Sequence, residues 1–346
     1  MKAYPAEHLA AIGRRLFEAC GAPASEAAQV VDHLLEASLM GLESHGVTRY
    51  VMYADACRSG DIRPGAPVRV ERETPTLAVV DCGMNFGQVG AGRVLDLACA
   101  KARESGLAFA VSRHCHHVGR LGAYPQRAAE QGLFCLAVAN SHKHGHFVVP
   151  WGGRQGRLAT NPLAFAAPAA PHPVLLDMST SMIPEGKIRA LMHAGEPVPE
   201  GAILDAEGRP TTDPRAFYGP PRGAILPFGS HLGFRGFGLG LLVEILGSTI
   251  AGEALGDELT YVNGIGVLVL DPEPLCGAAR FRHLVEELVA YVTGSPPAPG
   301  FAEVMVPGAR EFRTRDRRLR EGIPLPEETC RQIREVGARA GVEVDL

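Results

Sequence analysis

The spacing of apolar residues along the chain predicts alternating helices and strands. Between residues 5 and 40, apolar side chains recur every three or four positions, which indicates two helices. The same spacing predicts a helix over 89–103 and a shorter one over 124–131. Short apolar runs predict strands at 77–80, 107–111, 133–139, 174–178 and 266–270. This mixture indicates an α/β or α+β fold and excludes an all-α one.

Three stretches depart from this pattern. Residues 236–250 are almost entirely apolar apart from Glu244, which predicts a buried helix. Residues 182–230 are rich in glycine and proline, which predicts a segment that wraps the surface. The charged tail 309–346 is predicted to be helical, and the proline-rich stretch 295–300 before it predicts a linker or sharp turn.

The composition is that of an ordinary folded protein. The chain has 346 residues, 46% of them hydrophobic and 21% charged, which is enough for a large core. A net charge of −4 without a basic stripe gives no reason to expect nucleic acid or a membrane surface as partner. No apolar run looks long enough to span a bilayer, and the first residues do not form a signal peptide. Because none of the eight cysteines forms a CxxC pair, we expect reduced thiols in a cytoplasmic protein.

The glycine motifs that usually bind nucleotides are absent. No GxGxxG turn occurs at a predicted strand–helix junction, and no Walker motif occurs anywhere in the sequence. If the chain binds a dinucleotide, the architecture must therefore differ from the Rossmann fold.

The first candidate for chemistry is the segment that contains His45 and Arg49. Reduction of a 2-oxo acid needs an acid that protonates the carbonyl oxygen and a cation that holds the carboxylate. Histidine can supply the proton near neutral pH, and the planar guanidinium can bind both carboxylate oxygens. The two residues are four positions apart and would share one face of a helix. The alternative is a loop histidine beside a surface arginine.

Two histidine-rich segments offer other chemistry. Residues 114–124 follow a predicted strand, where loops often carry sites. In an extended segment His142, His144 and His146 would share a face and could bind zinc, which would indicate a metal-dependent hydrolase. The alternative is a polar, solvated loop. Because no carboxylate ligand lies nearby in sequence, we expect no metal.

Small hydroxyl residues and glycines form further candidate segments at 158–164, 176–181, 185–188 and 226–239. Such residues at strand ends and helix starts can bind phosphate or ribose. The alternative is that they form turns, helix caps and closely packed helices.

Taken in order, seven segments resemble the malate/L-lactate dehydrogenase family. This non-Rossmann group also includes ureidoglycolate, sulfolactate and diketogulonate oxidoreductases and the cyclic ketimine reductases. The segments extend over nearly the whole chain. They are SHGVTRY at 44–50, HVGRLGAY at 117–124, PWGGRQGRLATNPLAF at 150–165, LDMSTS at 176–181, GKI at 186–188, LGFRGFGLGLLVE at 232–244 and VPG at 306–308.

The resemblance implies an α/β (α+β mixed) fold of the non-Rossmann malate/L-lactate dehydrogenase type. It implies an NAD(P)-dependent oxidoreductase that interconverts a small 2-hydroxy acid and its 2-oxo acid, working as an obligate homodimer with the site near the subunit interface. We expect a helical substrate and dimerisation region, 1–75 with 309–346, and a nucleotide-binding and central α/β region, 76–308.

The resemblance also implies roles for individual residues. His45 is the proton donor with Ser44 beside it, Arg49 and Thr160 contact the substrate, and His117 lines the pocket as a second acid or base. The cofactor is NAD or NADP. Its implied contacts are Ser141, Asp177, Met178, Ser179, Gly186, Lys187, Arg235, Gly236, Pro307, Gly308, Ala309, Arg310 and Glu311.

Three positions bear on the alternatives. Arg235 stands where the family usually has lysine, and Ala309 stands where it usually has glutamate, so that Glu311 is left as the nearest carboxylate. Lys187 is typical of the hydroxy-acid branch, whereas ketimine reductases tend to have an acid there. A cyclic ketimine reductase is therefore the second hypothesis, and a metal-dependent hydrolase is more distant. The presence of Ser44, His45, Arg49 and Thr160 together speaks against an inactive binding protein.

Overall fold

A mixed sheet with helices on both faces forms the centre of the protein. The computed structural model describes residues 1–141, 145–253 and 262–346. The helices are α1 Ala6–Ala19, α2 Ala24–Leu39, α3 Arg49–Ser59, α4 Gly87–Ser105, α5 Ala123–Ala129, α6 Glu185–Ala194, α7 Pro214–Tyr218, α8 Gly233–Gly247, α9 Glu273–Cys276, α10 Ala278–Thr293, α11 Ala309–Glu321 and α12 Glu327–Ala340. The strands are β1 Lys2–Tyr4, β2 Arg69–Glu73, β3 Leu77–Asp81, β4 Leu107–Arg113, β5 Phe134–Ala139, β6 Leu163–Ala167, β7 Val174–Met178, β8 Ile203–Leu204, β9 Pro210–Thr211, β10 Ala224–Ile225, β11 Ile265–Leu270 and β12 Ile323–Leu325.

The central sheet has seven strands in the order β2-β3-β4-β11-β5-β6-β7. Only the β3–β4 pair in it is parallel, and all other neighbours are antiparallel. A Rossmann sheet is largely parallel, so the expectation of a non-Rossmann α/β fold is confirmed. The five predicted strands all lie in this sheet, and β2 and the alanine-rich β6 were not predicted.

Helices cover the sheet on both faces. In β11 the side chains of Ile265, Val267 and Val269 share a core with α4. The alternate residue Gly266 points to the other face, where a Cβ would lie 2.4 Å from the carbonyl oxygen of Leu246 in α8. Glycine is therefore required there for α8 to approach the sheet.

The two ends of the chain build a second core. Strand β1 pairs with β12 in antiparallel register, so that Lys2 lies opposite Leu325. Helices α1, α2 and α3 pack with α12 around buried side chains such as Leu16 and Ile333. The division into a region 1–75 with 309–346 and a region 76–308 stays a prediction.

The glycine- and proline-rich stretch 182–230, which was predicted to wrap the surface, contains regular elements that were not predicted. It contains α6, α7 and a three-stranded sheet of order β10-β8-β9, which form a small core together with Val148 and Leu158. Ile188 and Phe217 are fully buried in that core. Three short strands carry little periodic signal, so the pattern of the sequence did not show them.

The prediction that 236–250 is a buried helix is half wrong. Helix α8 buries small residues such as Gly236 and Gly240, while Leu242 and Ile245 are 44% and 51% exposed. The expectation that no apolar run could span a bilayer was also too strict. The helical stretch Ser230–Ala251 has 22 residues, and a window of 18 of them has a mean hydropathy of 1.4, which is long and apolar enough by length and composition alone; a third of that window is buried.

Candidate active site

One cavity of about 360 Å³ collects most of the predicted site residues. It opens where the chain leaves β4, β5 and β7, beside the turn that leads into α3. Loops after strands can place polar groups without breaking the sheet, which explains why the site lies at this edge. The predicted residues that line it are Ser44, His45, Arg49, His117, Ser141, Thr160, Asp177, Met178, Ser179 and Gly186.

His45 and Arg49 face the cavity from different elements. His45 ends the 3-10 turn Glu43–His45, and Arg49 begins α3, so the two do not share one helix as the spacing predicted. Nδ1 of His45 lies 2.9 Å from Oγ of Ser44. The Arg49 Nε–H donates to the carbonyl oxygen of Ser44 at 2.5 Å, which holds the guanidinium beside the imidazole.

His117 lies against His45. The two imidazole rings are nearly parallel, with centroids 5.6 Å apart and an angle of 22° between their planes. Nδ1 of His117 lies 2.7 Å from the hydroxyl oxygen of Tyr53 in α3, and the Gly119 N–H donates to the same nitrogen at 3.3 Å. The ring is therefore fixed by contacts on one side while it lines the cavity.

Burial and nearby positive charge favour the neutral form of both histidines. Burial lowers the pKa of His45 to about 3, and the positive charges of Arg49 and Arg120 act in the same direction. Burial, followed by the charge of Arg49, also places the pKa of His117 well below its usual value. A neutral imidazole carries a single N–H. The site thus offers two neutral N–H groups beside a guanidinium, a set that can hold a carboxylate and protonate a neighbouring oxygen.

Asp177 forms the opposite wall. Its carboxylate accepts a hydrogen bond from the Gly122 N–H at 2.7 Å. The side chain is in contact with the cavity, but the surrounding protein encloses the cavity wall on which it lies. This burial raises its pKa, while Arg120 lowers it and Glu311 adds to the rise. Glu311 therefore acts electrostatically on the site from the first turn of α11, although it does not line the cavity.

A buried carboxylate holds two asparagine side chains of the cavity lining in place. Glu244 of α8 is 5% exposed and accepts hydrogen bonds from the amides of Asn140, at 2.7 Å, and Asn161, at 2.9 Å. Both asparagines line the cavity. Glu244 therefore connects the apolar helix to the site, which explains a charged residue in an otherwise apolar run.

The remaining predicted cofactor residues lie outside this cavity. Lys187 and Arg235 are exposed, and Gly236 is packed so closely that a Cβ would lie 2.1 Å from the Phe228 carbonyl oxygen. In the turn at 307–311, Gly308 packs on Leu175. The others in that turn are the exposed Pro307 and Arg310 and the half-buried Ala309 and Glu311.

The histidine loop gives no metal centre in the described residues. His142 and His144 lie outside them, and the ring of His146 is within 3.1 Å of the Ser141 carbonyl oxygen. Across 1–141, 145–253 and 262–346, no three His, Cys, Asp or Glu side chains are grouped so as to hold a metal ion.

Several residues of the site were missed by the sequence reasoning. Tyr53, Gln88 and Asn140 stand among apolar residues and look like parts of a core. Arg120 lies inside the HVGRLGAY segment, yet only the structure shows it 3% exposed beside the cavity. A buried charge in an apolar run, as at Glu244, was the one available signal.

The lining fits a nicotinamide group. Amide and hydroxyl groups of Asn140, Ser141, Thr160 and Ser179 can pair with a carboxamide and with ribose hydroxyls, and the volume lies in the lower range of ligand pockets. The fold and the site together define an α/β protein of non-Rossmann type with a cavity in which two imidazoles and a guanidinium lie side by side.

Comparison with known proteins gives the family. The sequence matches the family model for malate/L-lactate dehydrogenase over residues 4–334, and the chain belongs to this family. It is 34% identical to a malate dehydrogenase of Pyrococcus horikoshii over 98% of this chain and 96% of that protein. The solved structure of the Pyrococcus horikoshii enzyme has a TM-score of 0.91 and covers 99% of this chain and 97% of that one.

Two further relatives bear on the substrate. An L-sulfolactate dehydrogenase of Methanothermobacter thermautotrophicus is 32% identical over 100% of this chain and 99% of its own. The structure of a delta1-piperideine-2-carboxylate reductase of Pseudomonas syringae pvar. tomato is 30% identical, has a TM-score of 0.83, and covers 97% of this chain and 100% of that chain. The protein is an oxidoreductase that uses a nicotinamide cofactor to interconvert 2-hydroxy acids and 2-oxo acids, and the predicted family, fold and reaction are confirmed.

Proposed function

We propose that the cavity binds a small 2-oxo acid with Arg49 and Thr160 on its carboxylate. His45 donates the proton to the carbonyl oxygen, with Ser44 as its hydrogen-bond partner, and His117 directs its own N–H at the same oxygen. The observation that carries this proposal is the convergence of two neutral imidazoles and one guanidinium on a single small cavity. Negative charge that develops on the oxygen is stabilised by such preorganised donors.

We propose that Ser141, Asp177 to Ser179 and Gly186 hold the nicotinamide end of NAD or NADP. The rest of the cofactor contacts Lys187, Arg235, Gly236 and the turn at 307–311. When bound, the nicotinamide supplies the hydride in reduction and accepts it in oxidation. The space beside Gly186 supports this placement of the cofactor, because a Cβ added there would meet only Ser44, at 3.4 Å.

We propose that the preferred substrate has a second acidic group. The supporting observation is a second arginine in the cavity lining, Arg120, whose positive charge lies close enough to lower the pKa of His45. Relatives named malate dehydrogenase and L-sulfolactate dehydrogenase agree with this choice. The alternative is reduction of a cyclic ketimine, favoured by the reductase of Pseudomonas syringae among the structural relatives and disfavoured by Lys187.

We propose that the protein is a cytoplasmic homodimer. All eight cysteines are free thiols, which suits a reducing compartment. Exposed apolar side chains cover one side of α8, and none of the residues of α10 is buried within the chain, although Leu284 and Leu288 form an apolar stripe on it. An apolar surface of this kind marks an interface.

The decisive experiment is a pair of single-turnover reductions. Wild-type protein is first assayed with NADH and with NADPH against pyruvate, oxaloacetate, sulfopyruvate and a cyclic ketimine, and we expect the highest kcat/KM with a diacidic 2-oxo acid.

With that substrate, His45→Ala should slow the chemical step about 10²–10⁴-fold, the contribution of a well-placed general acid. Nucleotide binding should stay near the wild-type level.

The histidine roles are reversed if His117→Ala loses the chemical step and His45→Ala keeps it. A wild-type protein that reduces only the ketimine would replace the proposed substrate class. Absence of turnover with every compound and both nucleotides would overturn the proposal altogether.

A further inference from the structure

One nitrogen of His117 is held by buried residues that the proposed reaction does not itself use. The hydroxyl oxygen of Tyr53 in α3 lies 2.7 Å from Nδ1 of His117. The side-chain amide of Gln88 in α4 donates to that hydroxyl oxygen, also at 2.7 Å. Tyr53 is fully buried and Gln88 is 1% exposed, so these two side chains are sealed from solvent, while His117 is half-buried and lines the cavity.

The donors and acceptors in this chain fix where its protons lie. An amide N–H can only donate, so Gln88 occupies a lone pair of the Tyr53 oxygen and leaves the O–H free to donate. The Gly119 N–H also points at Nδ1 of His117, at 3.3 Å. A nitrogen that faces two donors must be an acceptor. These contacts therefore favour the tautomer of the neutral ring that has its proton on Nε2.

We propose that Tyr53 and Gln88 are positioning residues that hold His117 in the tautomer with its proton on Nε2. This inference rests on the proposed function, in which His117 directs an N–H at the carbonyl oxygen. In the other tautomer a lone pair would face that oxygen and repel the negative charge that develops on it. Gln88 matters because it limits the choices of the Tyr53 hydroxyl, whose other acceptor is the His117 carbonyl oxygen at 3.3 Å.

The burial of Tyr53 suits this role. Burial raises the pKa of Tyr53 to about 12, so the hydroxyl keeps its proton and remains a donor throughout the neutral range. Burial also keeps the His117 ring neutral, and a neutral ring has only one N–H to offer. The choice of tautomer therefore decides whether His117 donates to the cavity or not.

A spectroscopic test reads the tautomer without any turnover. Full-length protein with ¹⁵N-labelled histidine is compared with its His117→Gln variant, and the difference assigns the His117 signals. We expect an acceptor-type Nδ1 and a protonated Nε2 in the wild type, and in Tyr53→Phe a shift towards a mixture of tautomers. A protonated Nδ1 in the wild type would overturn the inference. This result stands even if no 2-oxo acid proves to be a substrate.

A kinetic test uses a matched pair of buried tyrosines. Tyr50 lies on the same helix, is equally buried, and its hydroxyl donates to the Leu9 carbonyl oxygen at 3.1 Å, away from the cavity. Tyr53→Phe should lower the single-turnover rate about tenfold to a hundredfold, below the full 10²–10⁴ of a placed acid because the Gly119 donor remains. KM should change less than about threefold, and Tyr50→Phe should keep the wild-type rate.

Gln88→Glu tests the other link with little change of shape. The carboxylate accepts where the amide donated, so the Tyr53 hydroxyl turns towards it and away from Nδ1 of His117. We expect a loss of rate similar to that of Tyr53→Phe and the same mixed ¹⁵N signals. Equal rates in Tyr53→Phe and Tyr50→Phe, with an unchanged His117 tautomer, would reduce Tyr53 to a packing residue and overturn the proposal.

Discussion

Three histidines near the cavity remain uncharged because arginines and protein surround them. Burial lowers the pKa of His33 to about 3, with the charge of Arg120 as the next cause. Its Nε2 accepts a hydrogen bond from the Arg120 backbone N–H at 2.9 Å, which a protonated ring could not do. His45 and His117 are neutral for related reasons. The local positive charge that favours an anionic substrate thus also favours the neutral form of these rings.

This arrangement predicts a loss of stability in mild acid. The unfolded chain protonates His33 near pH 6.5, whereas the folded protein does not until about pH 3, so the unfolded state binds more protons in between. The free energy of unfolding should therefore fall as pH drops from about 6.5. The free energy of unfolding should be measured with denaturant at pH 7, 6 and 5. Its slope against pH should correspond to about one bound proton fewer in His33→Gln than in the wild type. The exposed His193→Gln is the control, and an unchanged slope in His33→Gln would contradict the assignment.

At the level of residues, the cavity residues that could be predicted from the sequence are those that lie within continuous motifs. Ser44, His45, Arg49, His117 and Thr160 all reach the cavity. Tyr53 and Gln88 could not be found in this way. They come from two helices and acquire their partners only when α3 packs beside α4. Until then each stands among apolar residues and looks like part of a core rather than of a site.

At the level of elements, periodicity succeeded where one face of an element is buried. The strand predicted at 174–178 agrees residue for residue with β7, and the helix at 89–103 lies within α4. Periodicity failed for α8, because glycines rather than leucines face the sheet and so apolar character did not mark the buried side. Helix α10 was not predicted, and none of its residues is buried against the described part of the chain.

The anchoring of α8 through Glu244 gives a prediction at this scale. Glu244→Gln places an amide N–H against the amide of either Asn140 or Asn161 and leaves a buried donor unpaired. We expect the free energy of unfolding to fall by about 1–3 kcal/mol. Thermal unfolding measures the effect, with the exposed Glu321→Gln on α11 as control, for which a change within about 0.5 kcal/mol is expected. Equal stability of the two variants would mean that Glu244 does not hold the two asparagine side chains in place.

At the scale of the whole molecule, apolar surface remains uncovered in a single chain. Besides α8 and α10, the face of the sheet that carries Phe134, Leu136 and Phe165 is only half-buried. A stable homodimer would cover such surface and give the apolar stretch Ser230–Ala251 a protein environment.

The dimer proposal predicts that one charge on α8 separates the subunits. Leu242→Glu should shift the molar mass in light scattering from dimer to monomer at micromolar concentration, because a buried unpaired carboxylate is costly. Arg93→Glu, at an exposed position of α4, should remain dimeric. A wild-type protein that is monomeric and active would contradict the proposed assembly.

The pairing of β1 with β12 has a consequence for the order in which the protein is made. A ribosome must translate through Leu325 before Lys2 meets its partner. Until then, the helices that follow β1 lack the cover of α12, and their apolar faces stay open to solvent or to a chaperone. Closing a loop of this length is also slow, since distant contacts impose their entropic cost before they yield any gain. Strand β1 is therefore synthesised long before it can reach its native place.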